Sequence, residues 1–246
     1  MTKFLSKDGK FYMRDGKLLG YTPPQASLTP QTGITYTDGL PSDWNIMKEI
    51  GMAISEASEN INANTTGNIY INKGNMWAYK ITPGDTISVN NNTYAVMGFN
   101  NFALTNQGNY GGTHNTAGLT FGAVDCVGTS IMNYGNTNRG GWRKCEMRIT
   151  ALPSLQSGMP DTLAQVKVPY VNYGQSAILY SDDYLFLPAE KEVSGTRKYS
   201  IEAEANALTQ FAYYNSSSNF CNVAASGKYN NNYASTSLGA APCFCV

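Results

Sequence analysis

The chain has 246 residues, 42% of them hydrophobic, and its 17 basic and 17 acidic side chains give a formal net charge of zero. Charged residues make up only 14% of the sequence, against about 25% in typical soluble domains. The basic residues are not clustered, which argues against sequence-independent binding to nucleic acid. We expect no signal peptide, because the N-terminus lacks an apolar run, and no membrane insertion, because no stretch of about 18 apolar residues occurs.

The first 41 residues are predicted to differ from the rest of the chain. Residues 1–22 contain two Asp-Gly pairs, Asp8-Gly9 and Asp15-Gly16, between short apolar runs. Asp-Gly is a strong signal for a two-residue hairpin turn because both turn positions need a positive φ. We therefore predict a small β-meander over 1–22. A linker or extended arm is predicted over 23–41, where Pro, Thr and Gly are dense. Residues 42–246 are then expected to form one domain.

A helix is predicted over residues 43–61, with Ser42 as its cap. Its apolar residues are spaced by three and four, which is the pattern of a helix that packs one face on a core. Gly51 lies inside this span and weakens the helix slightly. The apolar residues are Ile46, Met47, Ile50, Ile54, Ala57 and Ile61.

Residues 64–125 are predicted to be mostly β-structure, since short β-prone runs are separated there by Asn, Gly and Pro. The stretch 100–118 is rich in Asn, Gly and Thr and is expected to be a long exposed loop. The β-prone runs are 68–71, 77–81, 85–89, 93–99 and 119–125.

Residues 136–152 are predicted to form a Gly-rich turn that leads into a helix. The sequence GGWRKCEMR within this segment has two interpretations. It is either a binding motif or a structural unit, in which Trp142 is an anchor and Glu146 and Arg148 tie down neighbouring backbone; we favour the second. A short helix is also predicted to start at Pro160, because proline is tolerated in a first helical turn. Strand-like runs follow at 167–171 and 184–190.

The C-terminal tract from Phe211 to Ser237 is the most unusual part of the sequence. Of its 27 residues, 16 are Asn, Tyr or Ser, and only Lys228 is charged. We predict a strand at 219–224, a Gly-Lys turn, an Asn-rich loop and a final strand around 242–246. The alternative is a disordered, low-complexity tail. Apolar residues flank the polar stretch on both sides, which favours an anchored loop that presents tyrosine, as in an antibody paratope.

Catalytic and metal-binding patterns are absent from the sequence, and we predict no catalytic residue, metal ligand or cofactor. His114 is the only histidine and is expected to be a solvated loop residue. The pair Asp182-Asp183 is expected to be solvated or ion-paired. The odd number of cysteines predicts mostly reduced, buried thiols. A disulfide between Cys221 and Cys245 is the alternative.

Seven segments together resemble a lectin-like domain of undefined function that is common in gut Firmicutes and their phages. The resemblance covers about residues 80–246, and the order of the segments and the C-terminal ending make it fairly specific. The segments are TYAVMGFNN (93–101), TAGLTFGAVDCV (116–127), MNYGNTNRGGWRKCEMR (132–148), MPDTLAQVKV (159–168), DYLFLPAEKEVSG (183–195), NFCNVAASG (219–227) and GAAPCFCV (239–246).

This resemblance implies an α+β, C-type-lectin-like fold with mixed short antiparallel sheets and two or three helices. Some members are the variable proteins of diversity-generating retroelements, in which adenine mutation spreads Asn codons to Tyr, Ser and others. The tract 213–237 is similar to such a variable repeat. The chain departs from the family in lacking the Trp-Leu-Arg-Ser-Pro segment that often precedes the FCNV strand. The calcium-sugar motifs of true lectins and the catalytic cysteines of the formylglycine-generating branch are not found either.

The resemblance implies a retroelement-diversified, hypervariable receptor-binding protein on a phage virion or tail. It would be made in the host cytoplasm and would attach to a host surface protein or glycan. Residues 1–41 would supply attachment or oligomer contacts, and a trimer fits a fibre-tip protein. A bacterial surface adhesin of the same fold and a formylglycine-generating-type enzyme are the alternatives. The expected ligand-binding residues are Tyr213, Tyr214, Asn215, Asn219, Asn222, Tyr229, Asn230, Asn231, Asn232, Tyr233 and Ser235.

Overall fold

Short strands account for most of the regular structure in the computed structural model, which describes residues 5–7, 10–12, 23–106, 114–172, 177–188, 210–211, 217–223 and 229–246. Within these ranges the chain is α+β, with three α-helices and several small sheets that are mainly antiparallel and do not close into a barrel. The predicted α+β class is therefore confirmed.

The strands and helices are numbered in chain order. The strands are β1 (Leu5–Lys7), β2 (Lys10–Tyr12), β3 (Gln25–Ser27), β4 (Thr37–Asp38), β5 (Ile69–Asn72), β6 (Ala78–Ile81), β7 (Thr86–Val89), β8 (Asn92–Ala103), β9 (Thr116–Ala123), β10 (Gly128–Ser130), β11 (Val166–Val171), β12 (Leu179–Asp183), β13 (Leu185–Phe186), β14 (Gln210–Phe211), β15 (Asn219–Val223), β16 (Tyr229–Tyr233), β17 (Leu238–Ala240) and β18 (Cys243–Cys245). The helices are α1 (Trp44–Glu56), α2 (Gly141–Lys144) and α3 (Leu152–Gln156), and a π-helical turn, Met147–Ala151, lies between the last two.

The centre of the fold is a five-stranded sheet in the order β13-β18-β9-β8-β7. The C-terminal strand β18 lies between β13 and β9, which confirms the predicted final strand. Its Phe244 is fully buried and stacks on Phe121 of β9 at a centroid distance of 5.0 Å. Tyr94 of β8 meets the same ring edge-on at 5.1 Å. The last residues of the chain are therefore core residues, and they fix the end of the C-terminal tract.

Helix α1 covers one face of this sheet and begins where the sequence places a polar cap. Its cap is Asp43, whose carboxylate accepts a hydrogen bond from the Asn45 amide at 2.8 Å, so the prediction of Ser42 was wrong by one residue. The helix ends at Glu56 instead of residue 61. The side-chain amide of Asn100 explains this end, since it donates to the carbonyls of both Ile54 and Ile61 and holds the chain in a turn.

A pair of glycines sets the distance between α1 and β9. A Cβ atom built on Gly118 of β9 would lie 2.0 Å from the carbonyl oxygen of Gly51 in α1. The obstacle is backbone, which cannot rotate aside as a side chain can. Gly51 was expected only to weaken the helix, whereas the structure places its backbone directly against Gly118 of β9.

The segment 23–41 contributes two edge strands to a four-stranded sheet in the order β3-β5-β6-β4. Strand β3 pairs antiparallel with β5, and β4 pairs parallel with β6. Both strands are extended, as an arm would be, but they are hydrogen-bonded to the sheet and do not form a free linker. The division between residues 41 and 42 stays a prediction.

The N-terminal strands β1 and β2 pair antiparallel, with Leu5 opposite Tyr12 and Lys7 opposite Lys10. This is the first hairpin of the predicted meander. Its turn at Asp8-Gly9 and the second turn at Asp15-Gly16 lie outside the described residues.

The predicted exposed loop over 100–118 was wrong at both ends. Strand β8 continues to Ala103 across a β-bulge, Leu104 forms a bridge with Val166, and β9 already begins at Thr116. The solvated position expected for His114 was also wrong. His114 is only 4% exposed, and its Nε2 lies 3.8 Å from Glu56 Oε1.

The helical segment around residues 141–156 is broken into α2, the π-helical turn and α3. The Gly-rich turn before it is confirmed, with Gly140 and Gly141 both at positive φ. The second helix predicted from Pro160 does not form. Leu163 and Ala164 are buried there, and Ala164 bridges to Cys245, so the chain enters β11 directly from a turn.

We expect Gly118→Ala to lower the free energy of unfolding by about 3 kcal/mol, because the new methyl group meets helix backbone. Urea unfolding followed by circular dichroism measures this change. Gly128→Ala is the matched control, since Gly128 also lies in a strand and a Cβ built on it meets nothing within 4 Å. A loss in Gly118→Ala no larger than in Gly128→Ala would contradict the close approach.

Candidate ligand-binding site

The C-terminal tract forms an antiparallel hairpin of β15 and β16 within the described residues. The predicted strand is confirmed over 219–223, and Ala224 and the predicted Gly-Lys turn lie outside the described residues. The Asn-rich loop was wrong, because residues 229–233 form the second strand. Asn219 lies opposite Tyr233, and Asn222 lies opposite Asn230. Strand pairing therefore fixes the backbone of this polar sequence.

The register divides the hairpin side chains between two faces, since neighbouring residues of a strand point to opposite sides. One face carries Phe220 and Asn222, with Asn232 and Asn230 as their cross-strand partners. Phe220 is buried at 4% exposure, whereas Asn230 at the far end is exposed. This face is thus anchored in the core at one end and open to solvent at the other.

The second face carries Asn219 and Cys221 opposite Tyr233 and Asn231. The amide of Asn219 donates to Asn231 Oδ1 at 2.5 Å, and Ser218 Oγ donates to Asn219 Oδ1 at 2.9 Å. Tyr233 is 59% exposed. This face therefore holds a network of mutually bonded amides beside an exposed aromatic ring.

The expected ligand-binding residues accordingly fall into three groups. Asn230, Tyr233 and Ser235 are exposed, and Asn219, Asn222, Asn231 and Asn232 are half-buried. Tyr229 lies in strand β16. Tyr213, Tyr214 and Asn215 lie outside the described residues.

One of the half-buried residues is in an unfavourable environment. Among the described residues, Asn222 Oδ1 is one of six buried side-chain atoms for which no hydrogen-bond partner is found. A buried acceptor without a donor costs about 1–3 kcal/mol.

A surface loop, residues 131–139, holds the hairpin from one side. The amides of Met132 and Asn133 both donate to the carbonyl oxygen of Ala234, each at 2.9 Å. Just after β16 ends, Ser235 Oγ donates to Asn136 Oδ1 of the loop. The loop and the end of β16 thus share a continuous surface.

Asn138 joins the other end of this loop to β15. It is 1% exposed. Its backbone amide donates to Ser217 O at 2.9 Å, and its side-chain Nδ2 donates to Asn219 O at 2.9 Å. A buried side chain that bonds the backbone of a neighbouring segment fixes the position of that segment.

The loop leads into a buried carboxylate network centred on Asp183. The Trp142 indole donates to Asp183 Oδ2 at 2.9 Å, and Arg148 Nε donates to Asp183 Oδ1 at 2.6 Å. Arg148 also donates to the carbonyls of Arg143 and Asp182. The interpretation of GGWRKCEMR as an anchor is confirmed for Trp142 and Arg148. Asp183 is the ion-paired member of the acidic pair, and Asp182 is exposed.

All five cysteines are in the thiol form, so no Cys221–Cys245 disulfide forms. Cys145, Cys243 and Cys245 are buried, whereas Cys221 is half-buried and Cys126 is exposed. Burial raises the pKa of the Cys145 thiol to about 12. A thiol of that pKa stays protonated at neutral pH, which is the opposite of what a reactive cysteine needs.

Two further observations concern the described residues only. No group of three or more His, Cys, Asp and Glu side chains in these ranges could hold a metal ion. Across the same part of the chain, every helix is too short or too polar to cross a bilayer.

No family model, curated protein or solved structure matches this chain.

The sequence did not single out the loop residues Tyr134, Asn136 and Asn138 as site residues. The signal was available in part, because MNYGNTN has the same Asn/Tyr composition as the C-terminal tract. What the sequence could not give is the hydrogen bonding between Asn138 and Asn219, which lie 81 positions apart.

We expect Asp183→Asn to lower the free energy of unfolding by about 3 kcal/mol, because it leaves the Arg148 guanidinium without its buried counter-charge. Urea unfolding measures this loss. Asp182→Asn is the control, since Asp182 is exposed, and its effect should stay within about 0.5 kcal/mol. Equal effects of the two substitutions would contradict a special role of the Asp183 network.

Proposed function

We propose that this protein binds a surface molecule of a host cell through the uncharged side chains of the β15–β16 hairpin. The observation that carries the proposal is the combination of exposed polar side chains with a fixed backbone. Asn230, Tyr233 and Ser235 are exposed, whereas the backbone around them bonds to β15 and to the loop 131–139.

A fixed backbone suits binding because little conformational freedom is lost when the target is bound. Tyrosine adds a large contact area with few rotatable bonds, and asparagine and serine add adaptable hydrogen bonds. Residues 217–223 and 229–240 contain no Asp, Glu, Lys or Arg. Both faces of the hairpin therefore fit a target whose contact region is low in charge.

We extend the proposal to a diversified receptor-binding protein of a phage virion. In this account residues 42–246 have a C-type-lectin-like fold, and residues 1–41 serve attachment or oligomer contacts. The alternative of a formylglycine-generating-type enzyme needs a reactive cysteine, and Cys145, whose pKa burial raises to about 12, does not meet that need.

The test of diversification is the nucleotide sequence that encodes residues 211–246, compared with the flanking DNA. We expect a near-identical repeat that differs only at adenine positions. The differences should fall in the codons of Asn230, Tyr233 and Ser235 and should spare the core residues Phe220 and Phe244. Neighbouring phage tail genes would place the protein on a virion, and a cell-wall anchor gene would indicate a bacterial adhesin. The lack of a repeat, or differences at other bases, would contradict diversification.

A further inference from the structure

The loop 131–139 presents the most exposed of the tyrosines that the structure places at the surface. Tyr134 is 78% exposed, compared with 59% for Tyr233 and 57% for Tyr180. Its neighbour Asn133 and the preceding Met132 both donate their backbone amides to Ala234 O. We propose that Tyr134 is a constant anchor of the binding face and that the partner is a protein surface. This inference rests on the proposed function of the hairpin.

The position of Tyr134 follows from the backbone bonds. Tyr134 comes directly after Asn133, and Tyr233 comes directly before Ala234, so the bond from the Asn133 amide to Ala234 O brings the two tyrosines to one region of the surface. Asn136 and Ser235 are bonded to each other in the same region. The loop and the hairpin therefore form one binding face that combines a constant half with a half proposed to vary.

The loop shares the charge character of the hairpin. Residues 131–138 contain no charged side chain, and the first basic residue after them is Arg139. Residues 131–138, 217–223 and 229–240 carry no charged side chain, so a charged group brought against them would be desolvated without an ionic partner. Binding should then depend little on salt concentration.

The hydrogen bonds within the face favour a protein partner over a glycan. Besides stacking on aromatic rings, a glycan needs free polar side chains that bond its many hydroxyl groups. Here Asn219 bonds Asn231 and Ser218, and Asn136 accepts from Ser235. These groups are partly satisfied within the protein, so the two exposed tyrosine rings offer most of the binding energy. Ring area buried against a protein surface is the usual origin of binding hot spots.

The experiment uses the full chain and a defined probe. Random linear peptides displayed on phage are selected on the immobilised protein, and a selected peptide is synthesised with a fluorescent label. Its affinity is measured by anisotropy for the wild type and for Tyr134→Ala, Tyr134→Phe, Tyr233→Ala and Tyr180→Ala. An array of neutral and acidic oligosaccharides is tested in parallel. Circular dichroism confirms that each variant is folded.

We expect Tyr134→Ala and Tyr233→Ala each to weaken peptide binding about tenfold or more, as hot-spot residues do. Tyr134→Phe should stay close to the wild type because it keeps the ring. Tyr180→Ala is the matched control, with nearly the same exposure as Tyr233 on a different sheet, and should leave the affinity unchanged.

The two tyrosine variants test the role of Tyr134 separately from the role of the hairpin. Loss of binding in Tyr233→Ala but not in Tyr134→Ala would remove Tyr134 from the face and leave the hairpin as the site. Loss in Tyr134→Ala alone, or in neither variant, would overturn the hairpin site and the inference with it. If the protein yields no peptide binder, or if oligosaccharides bind in its place, a protein partner is wrong.

Discussion

The attachment of the β15–β16 hairpin to the loop 131–139 is the constraint on which the candidate site depends. A two-stranded hairpin is marginally stable in water by itself. Here Ala234 O accepts two backbone amides from the loop, and the buried Asn138 bonds the backbone of Ser217 and Asn219. The loop is continuous with Trp142, which is bonded to the buried carboxylate of Asp183. These hydrogen bonds connect the interior to the hairpin in series. None of these bonds involves a side chain that faces solvent.

This arrangement separates the residues that determine the fold from those available to a partner. The interior is set by close packing, such as Phe244 on Phe121 and the backbone contact of Gly118 with Gly51. Changes at these positions act on stability. Exposed positions such as Tyr233 lie on paired backbone, so substitutions there should change the surface chemistry more than the fold. A binding surface can vary only if this separation holds.

Much of the architecture was predictable from the sequence, since β-prone runs and polar breaks predict strands locally. The runs at 68–71 and 85–89 became β5 and β7, and the apolar spacing predicted α1. The errors arose where distant contacts outweigh composition. Residues 229–233 looked like a loop, yet they pair with β15, and Trp142 meets Asp183 across 41 positions. The composition of the site could thus be predicted, but not the loop that supports it, because no local pattern encodes a contact between distant segments.

Hydrogen–deuterium exchange of the full chain tests most directly the claim that a fixed backbone carries the exposed side chains. Backbone amides exchange slowly where hydrogen bonds persist and fast where a segment opens easily. We expect the paired amides of β15 and β16 to be protected to a degree approaching those of β8 and β9 in the central sheet. Exchange of the hairpin at the rate of an unstructured peptide, while β8 and β9 remain protected, would contradict it.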